Sequence, residues 1–563
     1  MSRWSERRSR REGSPFALGR GAHAALALAV IVLAVVLRAW GIGKESLWLD
    51  EAVSLKIADQ SIGHVLNASA RDSTPALYFV GLYFWRSLAP DTDAAVRMYS
   101  TLWSLAGLLA MYALARAVAE RWSALAAMSL LAIHPLDIYF AQEARMYCAT
   151  AALLTASLAL LWVWLRDERP RRFVLLAAYS VAAALALLCH YVAIAVLLAQ
   201  GTFVLFCLLK RRRCALAGEY LLAALVTAAL FLCWYAYMYR VNGGFNRANF
   251  SWMKLPGLWD YVIYVWCEFF WGRDYWSYLC GLLLTVPLTL LVLWNNVGLI
   301  RRHAAASQQP RSSIAPGVCL LWMVVGPALF AGLLSHLYQP IYLRYNFALF
   351  LLPPFVLLCV LSVGCIGRRR TRVVLFAAFA GVFLLGCAGQ YRRVHKTNWR
   401  LFAQVYNRSA STPSGRSAST PSGQSGAPDA VVFFPSFQVI PANRYLGETV
   451  VSAPRDGLAS RSDLAGKTIW LCHLRGHKLQ SGAGEEAYYQ WLMSLGPQQC
   501  IPLATDLDVT AIHVKEDRSA STPSSGQPRL EERAPPVERR FRAPGMGNRV
   551  LLRFVSAGCG WQP

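Results

Sequence analysis

The sequence predicts a polytopic α-helical membrane protein of about eleven transmembrane helices, followed by a small C-terminal α/β domain on the exocytoplasmic side. Three observations carry that prediction. First, 56% of the 563 residues are hydrophobic and only 15% are charged, with a mean hydropathy of +0.36. Soluble domains are about 45–50% apolar and about 25% charged, so this excess does not fit inside one water-surrounded globule. A soluble cytoplasmic enzyme is excluded, and so is a wholly disordered chain. Second, apolar runs long enough to cross about 30 Å of hydrocarbon recur along the chain. Third, the net charge of +25 is gathered in short basic clusters between those runs: Arg7–Arg11, Arg166–Arg172, Lys210–Arg213, Arg301–Arg302 and Arg368–Arg372. That placement is the positive-inside signature of a multi-pass protein and argues against a nucleic-acid partner.

Residues 1–21 read as a polar, Arg-rich cytoplasmic tail. The run at 22–40 is the first span; it is long for a signal peptide and has no small-residue cleavage site after it. Further spans are expected over 97–118, 123–140, 146–165, 173–189, 191–209, 216–238, 277–298, 314–335, 345–366 and 373–389. The run at 75–89, PALYFVGLYFWRSLA, is short and aromatic. If it crossed the membrane, the later basic clusters would fall opposite the Arg-rich N-terminus. If it lies in the interface as an amphipathic helix, every cluster falls on the cytoplasmic side. The second reading is taken. It makes 22–389 a transmembrane domain with an outer loop over 41–96, and it puts the polar residues that interrupt apolar stretches on the outer face.

From 390 to 563 the composition becomes soluble, and this part is expected on the exocytoplasmic side. VVFF (431–434), TIWLCHL (468–474), VTAIHV (509–514) and RVLLRFV (549–555) read as strands, and EEAYYQWLMSLG (485–496) as an amphipathic helix ended by a glycine. Ser/Pro-rich repeats interrupt it at 408–428 and 518–528. They cannot bury a core; they read as loops that are tolerated insertions or are themselves modified. The 14 cysteines form no CxxC pair and show no metal-ligand spacing. Cys472, Cys500 and Cys559 lie in the soluble part, where a disulfide is compatible with export.

Candidate chemistry concentrates in the outer segments. Asp50 and Glu51 are adjacent acids just after the first span, a costly place for charge unless it has a use. On a helix their side chains diverge by about 100°, so one can face a cavity while the other fixes the backbone. Asp72 precedes Thr74-Pro75, which can begin the interfacial helix. The richest stretch, HPLDIYFAQEARMY (134–147), holds His134, Asp137, Glu143, Arg145 and Tyr147 around a helix-breaking Pro135. Arg145 suits a phosphate, because its planar fork bonds two oxygens at once. An internal pair with Glu143 is the competing reading, weakened by the i, i+2 spacing. His190 and Tyr191 sit between two spans, and Arg344 and Tyr345 at another outer boundary. Arg344 reads equally as a second phosphate ligand or as an interfacial anchor. No Walker A, GxGxxG, HExxH or GxSxG motif stands in a convincing context, so a nucleotide-driven pump is disfavoured.

Taken together, WLDE at 48–51, Asp72-x-x-Pro75-x-Leu77-Tyr78, RMYS at 97–100, the 134–147 stretch, CHY at 189–191, Arg344-Tyr345 and NWR at 398–400 form an order that resembles the GT-C glycosyltransferases. The resemblance is to the protein mannosyltransferase and aminoarabinose transferase group, in its bacterial branch, and covers about 40–400. The chain has Pro75-Ala76 where that group often has Pro-Pro, and Cys189 where it often has Thr.

The resemblance implies a GT-C-like fold and a hexosyl or pentosyl transferase of the inner (plasma) membrane. It implies inverting transfer of a monosaccharide from a polyprenyl-phosphate donor to a lipid, glycan or protein hydroxyl on the outer face. Asp50 matches the catalytic acid, with Glu51 supporting it or binding the acceptor. Asp72, Asp137, Glu143, Arg145, Tyr147, His190, Tyr191, Arg344 and Tyr345 are the expected substrate-binding set. No cofactor is required; a divalent metal beside the acids is compatible with the pattern. A transporter or flippase of lipid-linked sugars is the alternative, and a membrane scaffold with a sensing outer domain is a third; the first lacks the internal repeat that such folds show.

Overall fold

The structure, a computed structural model, describes residues 20–166, 172–244, 255, 257, 265–271, 285–286, 289–290, 294, 316–338, 344–392, 396, 398–411, 430–434, 439–446, 468–474, 499–502 and 507–513. The chain forms two compact units, Met1–Lys396 and Thr397–Pro563.

In the first unit, helix α1 (Arg20–Ala39) is followed by three short helices, α2 (Leu49–Ile57), α3 (Ile62–Asp72) and α4 (Leu77–Leu88). Long helices follow: α5 (Asp93–Val118), α8 (Tyr147–Trp164), α9 (Arg172–Cys189), α10 (Ala193–Lys210) and α11 (Cys214–Asn242). Between α5 and α8 lie α6 (Arg121–Ala132) and α7 (Pro135–Ala141), and after α11 comes the short α12 (Val265–Trp271). The unit closes with α13 (Pro316–Leu337), α14 (Arg344–Gly364) and α15 (Arg369–Arg392). Among the described residues nine helices are long and apolar enough to cross a membrane, or ten if α6 and α7 count as one broken span. The protein is thus a multi-pass membrane protein.

The expected count of about eleven is not reached among these residues, for two reasons. Most of the run over 277–298 lies outside the described residues. The run over 123–140 is not one straight span: α6 and α7 meet at 61°. The break is local chemistry. Pro135 cannot donate to the preceding turn, and the His134 side chain caps the new helix by accepting the Leu136 N–H at 3.2 Å.

Helix α4 does not carry the chain to the other end of the bundle. Its 12 residues span about 18 Å, against the roughly 30 Å of a hydrocarbon core. Trp85 donates to the Ala95 carbonyl at the start of α5, and Arg86 donates to the Leu55 and Ala58 carbonyls at the end of α2. The segments before and after α4 therefore lie side by side.

Helix α5 packs along α8, and α8 against α9. One face of α5 is polar although the helix is otherwise apolar. Arg97, Ser100, Thr101 and Ser104 are spaced i, i+3, i+4, i+7 and all are buried. This stripe docks the irregular 137–145 segment. Thr101 donates to the Ala141 carbonyl, Ser100 to the Arg145 carbonyl and Ser104 to the Asp137 carboxylate. At Gly386 of α15 an added Cβ would come within 2.9 Å of the Pro135 ring and 3.1 Å of the Trp271 carbonyl. Only glycine lets that helix approach the break so closely.

The second unit contains α16 (Trp399–Ser411), α17 (Val439–Leu446) and a four-stranded sheet of β1 (Ala430–Phe434), β2 (Thr468–Leu474), β3 (Gln499–Pro502) and β4 (Leu507–His513). The strand order is β1-β2-β4-β3. β1 and β2 are parallel, with Ala430 opposite Ile469; β4 runs antiparallel to both β2 and β3. Strands thus occur where the sequence reads them at 431–434, 468–474 and 509–514. β3 is additional; its four residues are too few to show an alternation. The expected helix over 485–496 and strand over 549–555 lie outside the described residues, as do most of the Ser/Pro-rich repeats. Cys472 is a buried free thiol and takes no part in a disulfide.

Candidate active site

The N-terminus of α2 carries Asp50 and Glu51 in its first turn. Their environments differ completely. Glu51 is wholly buried. Its Oε1 accepts from Arg97 Nε at 2.7 Å and from the Ala144 N–H at 3.0 Å. Its Oε2 accepts from Arg97 Nη2 at 2.7 Å, Lys396 Nζ at 3.0 Å and the Trp48 N–H at 3.2 Å. Burial by itself pushes this carboxyl up, but the Arg97 and Lys396 charges outweigh it and hold it down at about 2. At neutral pH Glu51 is therefore an ionised tie between four chain segments. Its oxygens are engaged by the protein, which departs from the expectation that it joins Asp50 in catalysis or binds the acceptor.

Arg97 is equally committed. Beyond Glu51 it donates to the Ile42, Glu45 and Ser46 carbonyls at 2.8–2.9 Å, so all five of its N–H groups are used. Together these bonds fold the outer loop after α1 onto the start of α5.

Asp50, in contrast, keeps a third of its side chain exposed and meets Arg145 Nη2 at 3.6 Å. Arg145 is loosely held. Its Nη1 makes only long bonds, to the Ser54 hydroxyl at 3.3 Å and the Asp50 carbonyl at 3.4 Å. Its buried Nε–H has no acceptor among the described residues. The guanidinium also lies 5.8 Å from the centre of the Tyr147 ring. Asp72, at the end of α3, feels both groups. Burial raises its carboxyl above the ordinary range, and the nearby Asp50 charge adds to this, while Arg145 and the Thr74 hydroxyl, which donates to Oδ2 at 3.2 Å, oppose it.

His190 completes the cluster. Its ring lies 5.7 Å from that of Tyr147 and 5.7 Å from that of Phe350. Nδ1 accepts the Val192 N–H at 3.1 Å, which puts the ring proton on Nε2. Burial, then the Arg145 charge, lowers its pKa to about 3, so it is a neutral N–H donor at physiological pH. Tyr191 turns to other partners: its hydroxyl accepts from Trp234 and donates to the Met238 sulfur.

Of the expected residues, the structure thus brings together Asp50, Asp72, Arg145, Tyr147 and His190, from four separate segments. Asp137 is engaged elsewhere. It is paired with Arg38 of α1 and accepts from Ser104 at 2.6 Å. Arg38 also donates to the Ala34 and Ala132 carbonyls, so this network fixes the α6–α7 break to the first helix. Glu143 is buried, and its charge supports the ammonium of Lys396. Arg344 and Tyr345 form the first turn of α14; their side chains lie outside the described residues. Among the described residues no three His, Cys, Asp or Glu side chains converge as a metal-ligating group. Asp50 and Asp72 offer a cation two carboxylates at most.

Arg97 and Lys396 were not among the expected site residues. Arg97 had a signal in the polar stripe that it begins on α5, since a buried ionisable group in an apolar helix needs a partner. Lys396 had none, because its partner is 345 residues away.

Comparison with solved structures finds the same architecture. ArnT from Cupriavidus metallidurans bound to undecaprenyl phosphate superposes with a TM-score of 0.54 at 12% identity, over 88% of this chain and 99% of that one. The apo form of the same protein gives a TM-score of 0.51 at 12% identity, over 87% and 98%. The chain thus shares the fold of ArnT, in keeping with the resemblance to GT-C glycosyltransferases seen in its sequence. No protein-family model matches the sequence, and no curated protein matches it. The likeness to ArnT therefore rests on the three-dimensional arrangement of helices, beside the order of short motifs along the sequence.

Proposed function

We propose that the protein is a membrane glycosyltransferase that moves a monosaccharide, hexosyl or pentosyl, from a polyprenyl-phosphate donor to an acceptor hydroxyl on the outer face of the plasma membrane, with inversion. The observation that carries this reading is the pair Asp50 and Arg145, a part-exposed carboxylate 3.6 Å from a guanidinium with N–H capacity to spare. Two other arginines of this region, Arg38 and Arg97, are spent on the protein itself. The neighbour ArnT binds undecaprenyl phosphate, which supports a lipid-phosphate donor here.

In this mechanism the Asp50 carboxylate takes the proton of the acceptor hydroxyl. The freed oxygen attacks the anomeric carbon from the side opposite the phosphate. The bond from that carbon to the phosphate oxygen breaks, and its electron pair leaves with the lipid phosphate. Arg145 stabilises the added charge through its free donors. The exposed part of Asp50 returns the proton to water. Neutral His190 and Tyr147, whose ring lies beside the Arg145 guanidinium, supply an N–H and a ring face for the sugar. The positive-inside pattern supports an outward site, since the cluster lies at the end of the spans away from the basic clusters.

The test is transfer in membranes from radiolabelled undecaprenyl-phosphate monosaccharides, combined with glycan analysis of envelopes with and without the protein. Label moving from lipid to an acceptor, and lost in Asp50→Asn, supports the transferase. Movement of intact lipid across the bilayer without transfer would identify a flippase instead.

A further inference from the structure

We propose that Lys396 is a positioning residue of this site: it holds the segment that bears Arg145 against the helix that bears Asp50, and so sets the distance between acid and cation. The inference rests on the transferase reading for its effect on rate, and on the structure alone for its effect on the loop.

Lys396 follows α15, the last helix of the first unit, and its side chain is 6% exposed. Its Nζ makes two bonds. One goes to Glu51 Oε2 at 3.0 Å, the other to the main-chain carbonyl of Gln142 at 3.3 Å. Glu51 is the neighbour of Asp50. Gln142 begins the four-residue turn that ends at Arg145, and Glu51 Oε1 accepts the Ala144 N–H of the same turn. The turn is also held at the Arg145 carbonyl by Ser100 and through the Gln142 side chain, which donates to the Arg38 and Trp40 carbonyls; toward α2 it is pinned at two points, at Ala144 directly by Glu51 and at Gln142 by Lys396. Removing the lysine removes the second point.

Charge arithmetic gives Lys396 a role that Arg97 does not already fill. Arg97 alone neutralises Glu51 with two 2.7 Å bonds. A second buried cation on the same carboxylate is costly unless it has other acceptors. Those are the Gln142 carbonyl and the field of buried Glu143, both within the turn. The ammonium therefore adds to the charge that keeps Glu51 ionised and is also sited to hold the turn. Displacements of about 1 Å between reacting groups can cost about 10²-fold in rate, so a loosened turn reads out in kcat.

The experiment compares wild type, Lys396→Met and Lys396→Arg as full chains in detergent and in membranes. Hydrogen exchange of residues 142–146 is measured together with transfer from radiolabelled undecaprenyl-phosphate monosaccharides. Lys396→Met is expected to exchange faster at 142–146 while the other spans keep their protection. Its kcat is expected to fall about tenfold to a hundredfold with the donor KM little changed, and Lys396→Arg is expected to recover much of the loss. Unchanged exchange at 142–146 overturns the proposal. So does an unchanged kcat in Lys396→Met when Asp50→Asn is inactive. If Asp50→Asn retains activity, the transferase mechanism falls, and the exchange measurement alone decides the role of Lys396. Loss of protection throughout the spans would show a lysine needed for folding in general and would also overturn it.

Discussion

Arg97 grips Glu51 through two 2.7 Å hydrogen bonds across 46 residues of chain. The pair joins the first turn of α2 to the second turn of α5, and it decides which of two adjacent acids stays accessible. Glu51 turns inward to Arg97, and Asp50, about 100° further round the helix, is left facing Arg145.

Replacing Arg97 by Met takes the two-bond partner from a buried carboxylate, which keeps only Lys396 as a cation, and strands three backbone carbonyls. Breaking one side of a buried ion pair costs about 3–5 kcal/mol. Arg97→Met is expected to lower the thermal midpoint of the detergent-solubilised protein sharply, and a second change, Glu51→Gln, is expected to restore part of it. A midpoint equal to wild type in the single variant would refute the structural role of the pair.

Asp50→Asn removes the base and little else, since the side chain is part exposed and its ion pair is long. General-base catalysis is worth about 10²–10⁴-fold. Transfer is expected to fall within that range while the thermal midpoint stays near that of wild type. Turnover at the wild-type rate would remove Asp50 from the mechanism.

Arg145→Ala is expected to slow transfer by about 10²–10³-fold, the usual effect of losing one donor to a developing negative charge. Arg145→Lys is expected to recover only part, because an ammonium lacks the planar fork. Both variants are measured in membranes, with insertion checked by resistance to alkaline extraction. Near-normal transfer by Arg145→Ala would move attention to Arg344.

The depressed Glu51 carboxyl makes stability depend on acid. Its value falls from the ordinary 4.5 to about 2 on folding, so between these limits the unfolded chain binds more protons than the folded one. Stability from this group is complete above about 4.5 and is lost as pH falls toward about 2. The difference in thermal midpoint between wild type and Glu51→Gln should therefore be largest at neutral pH and shrink steadily below pH 4.5. A difference that stays constant down to pH 2.5 would contradict the ion-pair account.

What the sequence by itself determined is what local chemistry decides. Apolar length marks the spans, because burial of side chains in lipid needs no distant partner. Pro135 marks the α6–α7 break, because the missing N–H acts within one turn. The adjacent acids mark the region of the site, because charge beside hydrocarbon is costly wherever the rest of the chain lies. The tertiary structure decided the partners. Asp50 and Glu51 are equivalent in sequence and are separated only by Arg97 and Lys396, 46 and 345 residues away. Asp137 reads like its neighbours in the 134–147 stretch until Arg38, 99 residues earlier, takes its carboxylate. Arg145 is distinguished from Arg38 and Arg97 by the hydrogen bonds it does not make. An ion pair is an agreement between two places in space, and one stretch of sequence holds only half of it.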